Sequence, residues 1–222
     1  MTLTGISAVR IPEGGVKSIS VGGRTIWQKP VTERYTELEY IESTDAQYID
    51  TGIIGKSGLE ARIDYAFTKI GSTSGILFGA LRDNKRIYVA HTNGAIGYGA
   101  AISSKQYPKV DTRYDMHAIL KVGEQTIVVN GNEVYTGESQ SQYDTGLPAY
   151  LFAVNNGGVA KNNASAKIYV CKIVMDGNLV RDFVPVRRNS DGAVGMYDRV
   201  SETFFGNAGT GKFIAGETGG AV

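Results

Sequence analysis

Hydrophobic residues along this chain occur in short runs rich in β-branched and aromatic types, and turn-forming residues interrupt the runs every few positions. Runs of this length and composition are typical of antiparallel strands joined by tight turns. They are more numerous than one open sheet usually accommodates, so the pattern predicts an all-β fold in which two antiparallel sheets form a jelly-roll sandwich. The predicted strands are 18–21, 24–27, 37–42, 47–53, 59–67, 75–81, 85–91, 95–102, 116–122, 126–129, 133–135, 149–154, 167–175, 178–186, 193–197 and 202–205.

Two turns mark the clearest hairpins of this pattern. Asn130-Gly131 lies between the strands 126–129 and 133–135, and Asp176-Gly177 follows the long strand 167–175. Asn, Asp and Gly tolerate the positive φ angles that a two-residue hairpin turn requires. We therefore expect each of these strands to pair with the strand that follows it.

One stretch leaves a helical alternative open. Residues 31–51 contain neither Gly nor Pro, and Thr32 could open a helix there. Residues 42–46 form a polar cluster between two β-favouring runs, which favours a turn between strands. We prefer the strands and keep the helix as the alternative.

Composition changes along the chain and predicts its organisation. Residues 1–34 are predicted to form an N-terminal attachment or oligomerisation segment built on one hairpin, 35–215 the jelly-roll domain, and 216–222 a flexible C-terminal tail. An isolated two-stranded hairpin is marginally stable, so its apolar face needs a partner surface. That surface could also be the main domain, in which case the hairpin adds two strands to the sandwich.

Overall composition excludes several classes of protein. Lys and Arg total 23 against 22 Asp and Glu, and this balance supplies no general attraction for nucleic acid or an anionic membrane. The apolar runs are far shorter than the roughly 20 residues of a membrane-spanning helix, and the first residues do not resemble a secretory signal. The single cysteine, Cys171, cannot form a disulfide within the chain. We expect a protein made in a reducing cytosol.

Both ends of the main domain carry a resemblance to a known family. The stretch 38–52 resembles a recurrent opening of jelly-roll domains in bacteriophage and prophage structural proteins. Asp45-Ala46 departs from it, because a Gly followed by a small polar residue is expected there. The segment 16–30 is similar to a stretch that precedes such domains in tail and other virion proteins. Four later stretches resemble the closing strands of that family, namely 167–173, 179–187, 194–198 and 204–211.

The resemblance implies both a fold and a role. The fold would be a concanavalin-like, laminin-G-like jelly roll, and the role a non-enzymatic surface of a phage virion that binds a host receptor or glycan. Other virion proteins, or copies of this chain, would be bound through the N-terminal segment, and the protein would be made in the host cytoplasm. The alternatives are a capsid-decoration or assembly module without a ligand, and a bacterial carbohydrate-binding or adhesive module.

Catalytic motifs do not fit the chain. Glucanases of this fold carry Glu-x-Asp-x-x-Glu on one strand, and no Glu here has Asp two positions later. Glu60 and Asp64 share a strand face, where we expect outer-surface charges. Gly206 to Lys212 matches the spacing of a phosphate-binding loop, but Phe213 replaces the Ser or Thr that binds magnesium, so we predict a connecting loop. We therefore expect the chain to have no enzymatic activity.

Metal and cofactor sites are not expected. His91, His117 and Cys171 show no metal-ligand spacing. Cys171 lies among apolar neighbours and is predicted to be a core residue. Calcium stays open, because oxygen ligands recur in Asx pairs that are also ordinary turn formers. These pairs are Asp83-Asn84, Asn155-Asn156 and Asn162-Asn163.

Ligand contacts are more plausible than catalysis in a chain with 13 Tyr. An exposed Tyr offers a flat apolar face for stacking on a sugar and a hydroxyl that orients it. Polar side chains on neighbouring loops would supply hydrogen bonds. The candidate ligand-binding residues are Arg82, Asp83, Tyr88, His91, Asn93, Tyr98, Tyr107, Asn155 and Asn156.

Overall fold

The computed structural model describes residues 18–21, 24–28, 34–70, 75–92, 95–98, 109–121, 124–137 and 144–218. All regular elements in these ranges are strands, as the hydrophobic pattern predicts. They are β1 (Ser18–Val21), β2 (Arg24–Gln28), β3 (Tyr35–Glu37), β4 (Ile41–Thr44), β5 (Ile49–Ile54), β6 (Leu59–Phe67), β7 (Gly75–Arg82), β8 (Lys85–Thr92), β9 (Ala95–Tyr98), β10 (Tyr114–Lys121), β11 (Glu124–Val129), β12 (Asn132–Gly137), β13 (Pro148–Leu151), β14 (Val154–Asn156), β15 (Val159–Lys161), β16 (Ser165–Met175), β17 (Asn178–Arg188), β18 (Val194–Asp198), β19 (Thr203–Phe205) and β20 (Ile214–Ala215).

Two sheets make up the main domain. The large sheet has the order β12-β11-β10-β6-β16-β17-β18-β19, with β4 on β16, β20 on β4 and β3 on β17. The small sheet has the order β15-β14-β7-β13-β5, with β8 on β7 and β9 on β8. Among the described strands every pairing is antiparallel except that of β14 with β7. The predicted all-β, two-sheet fold is confirmed.

The core lies between the sheets because side chains alternate along each strand. In β6, Leu59 and Ile63 are fully buried, whereas Glu60 and Asp64 lie on the outer surface. Period-2 alternation requires this division. The largest side chains of the core include Tyr65, Phe67, Phe78, Phe152, Phe183, Ile41 and Ile49.

The turn residues behave as the sequence predicts. Asn130 and Gly131 have φ angles of 50° and 76°, and Asp176 and Gly177 have 51° and 79°. The hairpins β11–β12 and β16–β17 are therefore confirmed.

Several elements differ from the predicted ones. The predicted strand 37–42 is divided, because β3 ends at Glu37 and β4 begins at Ile41, and residues 42–44 of the predicted turn belong to β4. The helical alternative for 31–51 is wrong over the described residues 34–51, which form β3, β4 and the start of β5. The predicted strand 149–154 breaks after Leu151, because Phe152 has a φ of 65° that no strand continues. The short strands β15 and β20 carry no pattern long enough to predict them.

The two ends of the chain differ in their connections. β1 and β2 pair with each other, and the described residues give them no place in either main sheet, so the N-terminal attachment role stays a prediction. Residues 216–218, assigned to a tail from the sequence, instead pair with 38–40. Gly216 N donates to the Tyr40 carbonyl at 2.9 Å, and Leu38 bridges Thr218. No helix in the described ranges is long and apolar enough to cross a membrane.

Candidate functional site

A row of four residues crosses the outer surface of the small sheet. Tyr88 of β8 lies opposite Gly79 of β7, Gly79 lies opposite Tyr150 of β13, and Tyr150 lies opposite Asp50 of β5. Residues directly opposite each other in a sheet share a face. Because Ile49, Ala149 and Leu151 on the alternating positions are in the core, this row faces outward. We call Tyr88, Gly79, Tyr150 and Asp50 the tyrosine row.

Glycine is required at the centre of the tyrosine row. A Cβ on Gly79 would lie 2.5 Å from Tyr88 Cβ and 2.7 Å from the Ile87 carbonyl oxygen. Atoms of β8 already occupy the position of that Cβ, and the strands of Tyr88 and Tyr150 are two strand spacings, or roughly 9–10 Å, apart. Tyr88 and Asp50 are half-buried and Tyr150 is only 7% exposed, so the row is a partly covered strip that carries no side chain at Gly79.

Tyr48 extends this surface at its β5 end. Its ring stacks on Tyr150 with centroids 4.7 Å apart and an interplanar angle of 26°. Burial raises the pKa of Tyr150, and the nearby Asp50 and Tyr48 raise it further. The Tyr150 phenol, like that of an ordinary tyrosine, is protonated at neutral pH and can donate a hydrogen bond. Asp50 Oδ1 accepts the Gly52 N–H at 2.9 Å, which fixes the carboxylate beside the rings.

The glycine-rich stretch 206–212 positions Tyr48. Tyr48 N donates to Asn207 Oδ1 at 3.2 Å, and Ala208 N donates to the Tyr48 carbonyl at 2.9 Å. A Cβ on Gly209 would collide with the Ala46 carbonyl oxygen, so glycine allows the close approach. The prediction that this stretch is a connecting loop is confirmed, because it joins β19 to β20.

The large sheet anchors the strand that carries Asp50. Arg181 Nε of β17 donates to the Thr51 carbonyl at 3.0 Å, and Thr51 Oγ1 donates to the Ala149 carbonyl at 2.7 Å. These bonds tie β5 both to its neighbour β13 and to the opposite sheet. The β5 end of the tyrosine row is therefore rigidly held.

The predicted ligand-binding residues are distributed around the small sheet. Tyr88 belongs to the tyrosine row. Arg82 and Asp83 are exposed at the β7–β8 turn, and Asn156 lies beside them, opposite Leu81. The structure thus brings three of the predicted polar residues to the same end of β7. None of these positions has been tested for binding, so all stay predictions.

The remaining predicted residues lie elsewhere or outside the described part. Asn155 is buried, and its amide donates to the Pro148 carbonyl at 2.9 Å and accepts from Gly158 N at 2.8 Å. His91 pairs with Gly75 at the far end of β8 from the turn. Tyr98 lies in β9, opposite Val89. Asn93 and Tyr107 fall outside the described residues.

Sequence reasoning missed Tyr48, Asp50, Gly79 and Tyr150 as site residues. One signal was present, because Tyr48 and Asp50 alternate with buried Ile49 and must share a face. The register that places Tyr150 between Asp50 and Gly79 has no signal in a single sequence. It depends on pairing between strands that are distant along the chain.

The carboxylates considered for catalysis lie on the opposite surface. Glu60 Oε2 is 3.2 Å from His117 Nε2, and Asp64 accepts two bonds from Arg113, at 2.6 and 2.8 Å. Both carboxylates therefore contact basic side chains on the outer face of the large sheet. This arrangement agrees with surface charges.

The remaining chemical groups occupy structural positions. Asp83 lies in the two-residue β7–β8 turn with a φ of 56°. Within the described ranges no three His, Cys, Asp or Glu residues gather in a group that could hold a metal ion. Cys171 is fully buried, and burial raises the pKa of its thiol, as a core residue requires.

Comparison with known proteins gives a fold but no family. No protein-family model and no curated protein sequence matches the chain. The CBM40 domain of the Ruminococcus gnavus IT-sialidase, solved with α2,3-sialyllactose, is 11% identical with a TM-score of 0.50 over 65% of this chain and 92% of that domain. A Limulus polyphemus SAP-like pentraxin is 9% identical with a TM-score of 0.47 over 85% and 96%. The chain thus adopts a jelly-roll fold similar to that of the CBM40 domain.

Proposed function

We propose that this chain is a carbohydrate-binding jelly-roll module whose binding surface is the tyrosine row together with Tyr48. The observation that carries this proposal is the register of Tyr88, Gly79, Tyr150 and Asp50 on one outward face. A sugar ring presents apolar C–H faces and hydroxyls in the same molecule. A matching site combines aromatic faces with a few placed polar groups.

The polar groups of the site suit sugar hydroxyls. A hydroxyl both donates and accepts, so it needs an acceptor and a donor on the protein. Asp50 supplies a carboxylate acceptor, and Tyr150, whose pKa is raised, supplies a phenol donor. The likeness in fold to a CBM40 domain solved with a sialylated sugar supports the proposal as an analogy.

Binding without turnover is part of the proposal. Glu60 and Asp64 share a surface, but each contacts a basic side chain, His117 or Arg113. A glycosidase needs one carboxyl group protonated and the other free to attack or to activate water. Purified protein should release no reducing ends from polysaccharides that it binds. Release that Glu60→Gln abolishes would refute this part.

The finer role rests on the sequence resemblance at both ends of the domain. It favours a virion surface module of a phage or prophage, attached to other virion proteins or to its own copies through residues 1–34. A bacterial adhesive module would carry the same site on a different anchor. Immunogold labelling of purified particles separates the two, since only the virion role predicts label on the particle.

A saccharide panel with matched variants tests the binding surface. Immobilised polysaccharides of bacterial and host surfaces are probed with the full chain and with Tyr88→Ala, Tyr48→Ala and the control Tyr169→Ala. Tyr169 lies on the outer face of the large sheet, under the Arg113 guanidinium at 4.0 Å. Truncating a central aromatic contact costs roughly 2 kcal/mol or more, so the first two variants should lose more than tenfold in affinity. Equal losses in the control, or no saccharide bound by the native chain, would refute the proposal.

A further inference from the structure

A group of basic side chains lies next to the tyrosine row. The β7–β8 hairpin carries Arg82, Lys85 and Arg86, with Asp83 as its one carboxylate. We call Arg82, Lys85 and Arg86 the cationic end of the small sheet. In a protein whose basic and acidic residues nearly balance, this hairpin has a local excess of two positive charges.

Arg86 and Tyr88 share the outer face of β8. Arg86 lies opposite Leu81, and Leu81 packs with Tyr88 against the outer apolar cluster of Ile76 and Val154. Two positions along one strand are separated by roughly 6.8 Å. A ligand stacked on Tyr88 would therefore lie within reach of the Arg86 side chain.

The cationic end has no carboxylate partner within the described part of the chain. The ion pairs found there join other side chains. Arg86 Nε is buried and has no hydrogen-bond acceptor among the described residues. A buried donor left without an acceptor is unfavourable, so a ligand that draws the guanidinium into a hydrogen bond would remove this penalty as well as add a contact.

The opposite end of the row has the opposite charge. Asp50 lies on β5, three strands from β8, at roughly 14 Å by strand spacing. That separation exceeds the Debye length of about 8 Å at physiological ionic strength. An anionic group at Arg86 would therefore be little repelled by Asp50, whereas one placed at Tyr150 would lie beside the carboxylate.

We propose that the tyrosine row binds an acidic saccharide in one orientation, with its carboxylate or sulfate at Arg86 and its neutral rings toward Tyr150 and Asp50. This inference rests on the proposed carbohydrate-binding function. The planar guanidinium binds carboxylate and sulfate oxygens through paired, charge-assisted hydrogen bonds. Asp50 at the other end accepts bonds from hydroxyls, so the two ends of the ligand are distinguished.

Paired probes that differ only in charge test the inference. Calorimetry measures binding of tetragalacturonate and its carboxyl-reduced form, and of a carrageenan oligosaccharide and its desulfated form, to the full chain. The expected result is an affinity at least tenfold higher for one charged probe than for its neutral form, since hydrogen bonds to charged groups contribute ~1.5–3 kcal/mol. The pair that shows the difference identifies the acidic group.

Two single-charge variants assign the preference to its side chain. Arg86→Gln should remove the difference between charged and neutral probes. Arg62→Gln, an exposed arginine on β6 of the large sheet, should leave it intact. Equal affinity for both members of each pair, or a preference that persists in Arg86→Gln, would overturn the inference. Neutral probes bound through Tyr88 would still uphold the carbohydrate-binding function, whereas no binding to any saccharide would overturn both.

Discussion

Substitution of Gly79 by Ala tests the structural basis of the tyrosine row. The added Cβ would lie 2.5 Å from Tyr88 Cβ, 2.7 Å from the Ile87 carbonyl oxygen and 2.8 Å from Tyr88 Cα. Carbon atoms attract at about 3.5–4.0 Å, so β7 and β8 must separate by roughly 1 Å. Backbone atoms form two of these contacts, and no rotamer change relieves them.

The size of the effect follows from two opposing contributions. Overpacking destabilises the folded chain by roughly 1–3 kcal/mol. Replacing glycine also reduces the conformational entropy of the unfolded chain, which stabilises the folded chain by about 0.4–1 kcal/mol. The expected net loss is about 1–2 kcal/mol in the free energy of unfolding. For a domain of this size that lowers Tm by roughly 2–8 °C.

Gly206→Ala is the matched control for this measurement. Like Gly79, Gly206 has no positive φ, and a Cβ there would meet only Phe204 Cε1, at 3.3 Å. A ring edge can move, so the change in stability should stay within about 0.5 kcal/mol. Urea unfolding followed by circular dichroism compares both variants with the native chain. Equal stability of the two variants would refute the close β7–β8 approach and, with it, the geometry of the row.

Three further predictions concern the rest of the domain. Asp198→Ala removes the buried acceptor of bonds from Asp182 N, Val200 N, Ser201 N and Ser201 Oγ and leaves the half-buried Arg181 without its ion-pair partner. It should cost about 3–5 kcal/mol in urea unfolding, and a loss below about 1 kcal/mol would contradict the network. The Arg188 hydrogen bonds lower the pKa of Asp191 to about 2, so their stabilisation is complete above the ordinary value of 3.8 and is lost as pH falls through 2. An NMR titration of Asp191 should show a midpoint at about 2. A midpoint that does not rise in Arg188→Gln would contradict this cause. Burial raises the pKa of the Cys171 thiol, so a thiol reagent at pH 8 should label it only as fast as local or global unfolding exposes it. Labelling at the rate of a free thiol would show that Cys171 is not covered in the folded protein.

Local sequence signals predicted most of the fold. Asn130-Gly131 and Asp176-Gly177 determine where strands reverse, and the alternation in Leu59–Phe67 determines which face is buried. These signals act over a few residues, so one sequence contains them in full. The break at Phe152 was not predictable, because a buried phenylalanine with a positive φ is imposed by packing against Phe213 and by backbone bonds to Leu77 and Ala164.

The candidate site was predicted only in part. Tyr88 and the polar residues at the β7–β8 turn were recognised by residue type. Tyr150 was not, because its role depends on its pairing with Gly79 and Asp50, which lie about 70 and 100 positions away in the chain. Asn155 shows the converse, since this asparagine of β14 has ligand-like chemistry but uses its amide to bond the Pro148 carbonyl and Gly158 N.

The central claim is that a saccharide binds across the tyrosine row. An NMR titration of the ¹⁵N-labelled full chain with the tightest-binding saccharide of the panel tests it most directly. The account predicts saturable shifts of the backbone amides of Tyr48, Asp50, Gly79, Tyr88 and Tyr150, with the amides around Tyr169 on the large sheet unchanged. Shifts confined to the large sheet, or no saturable shift on the small sheet, would contradict it.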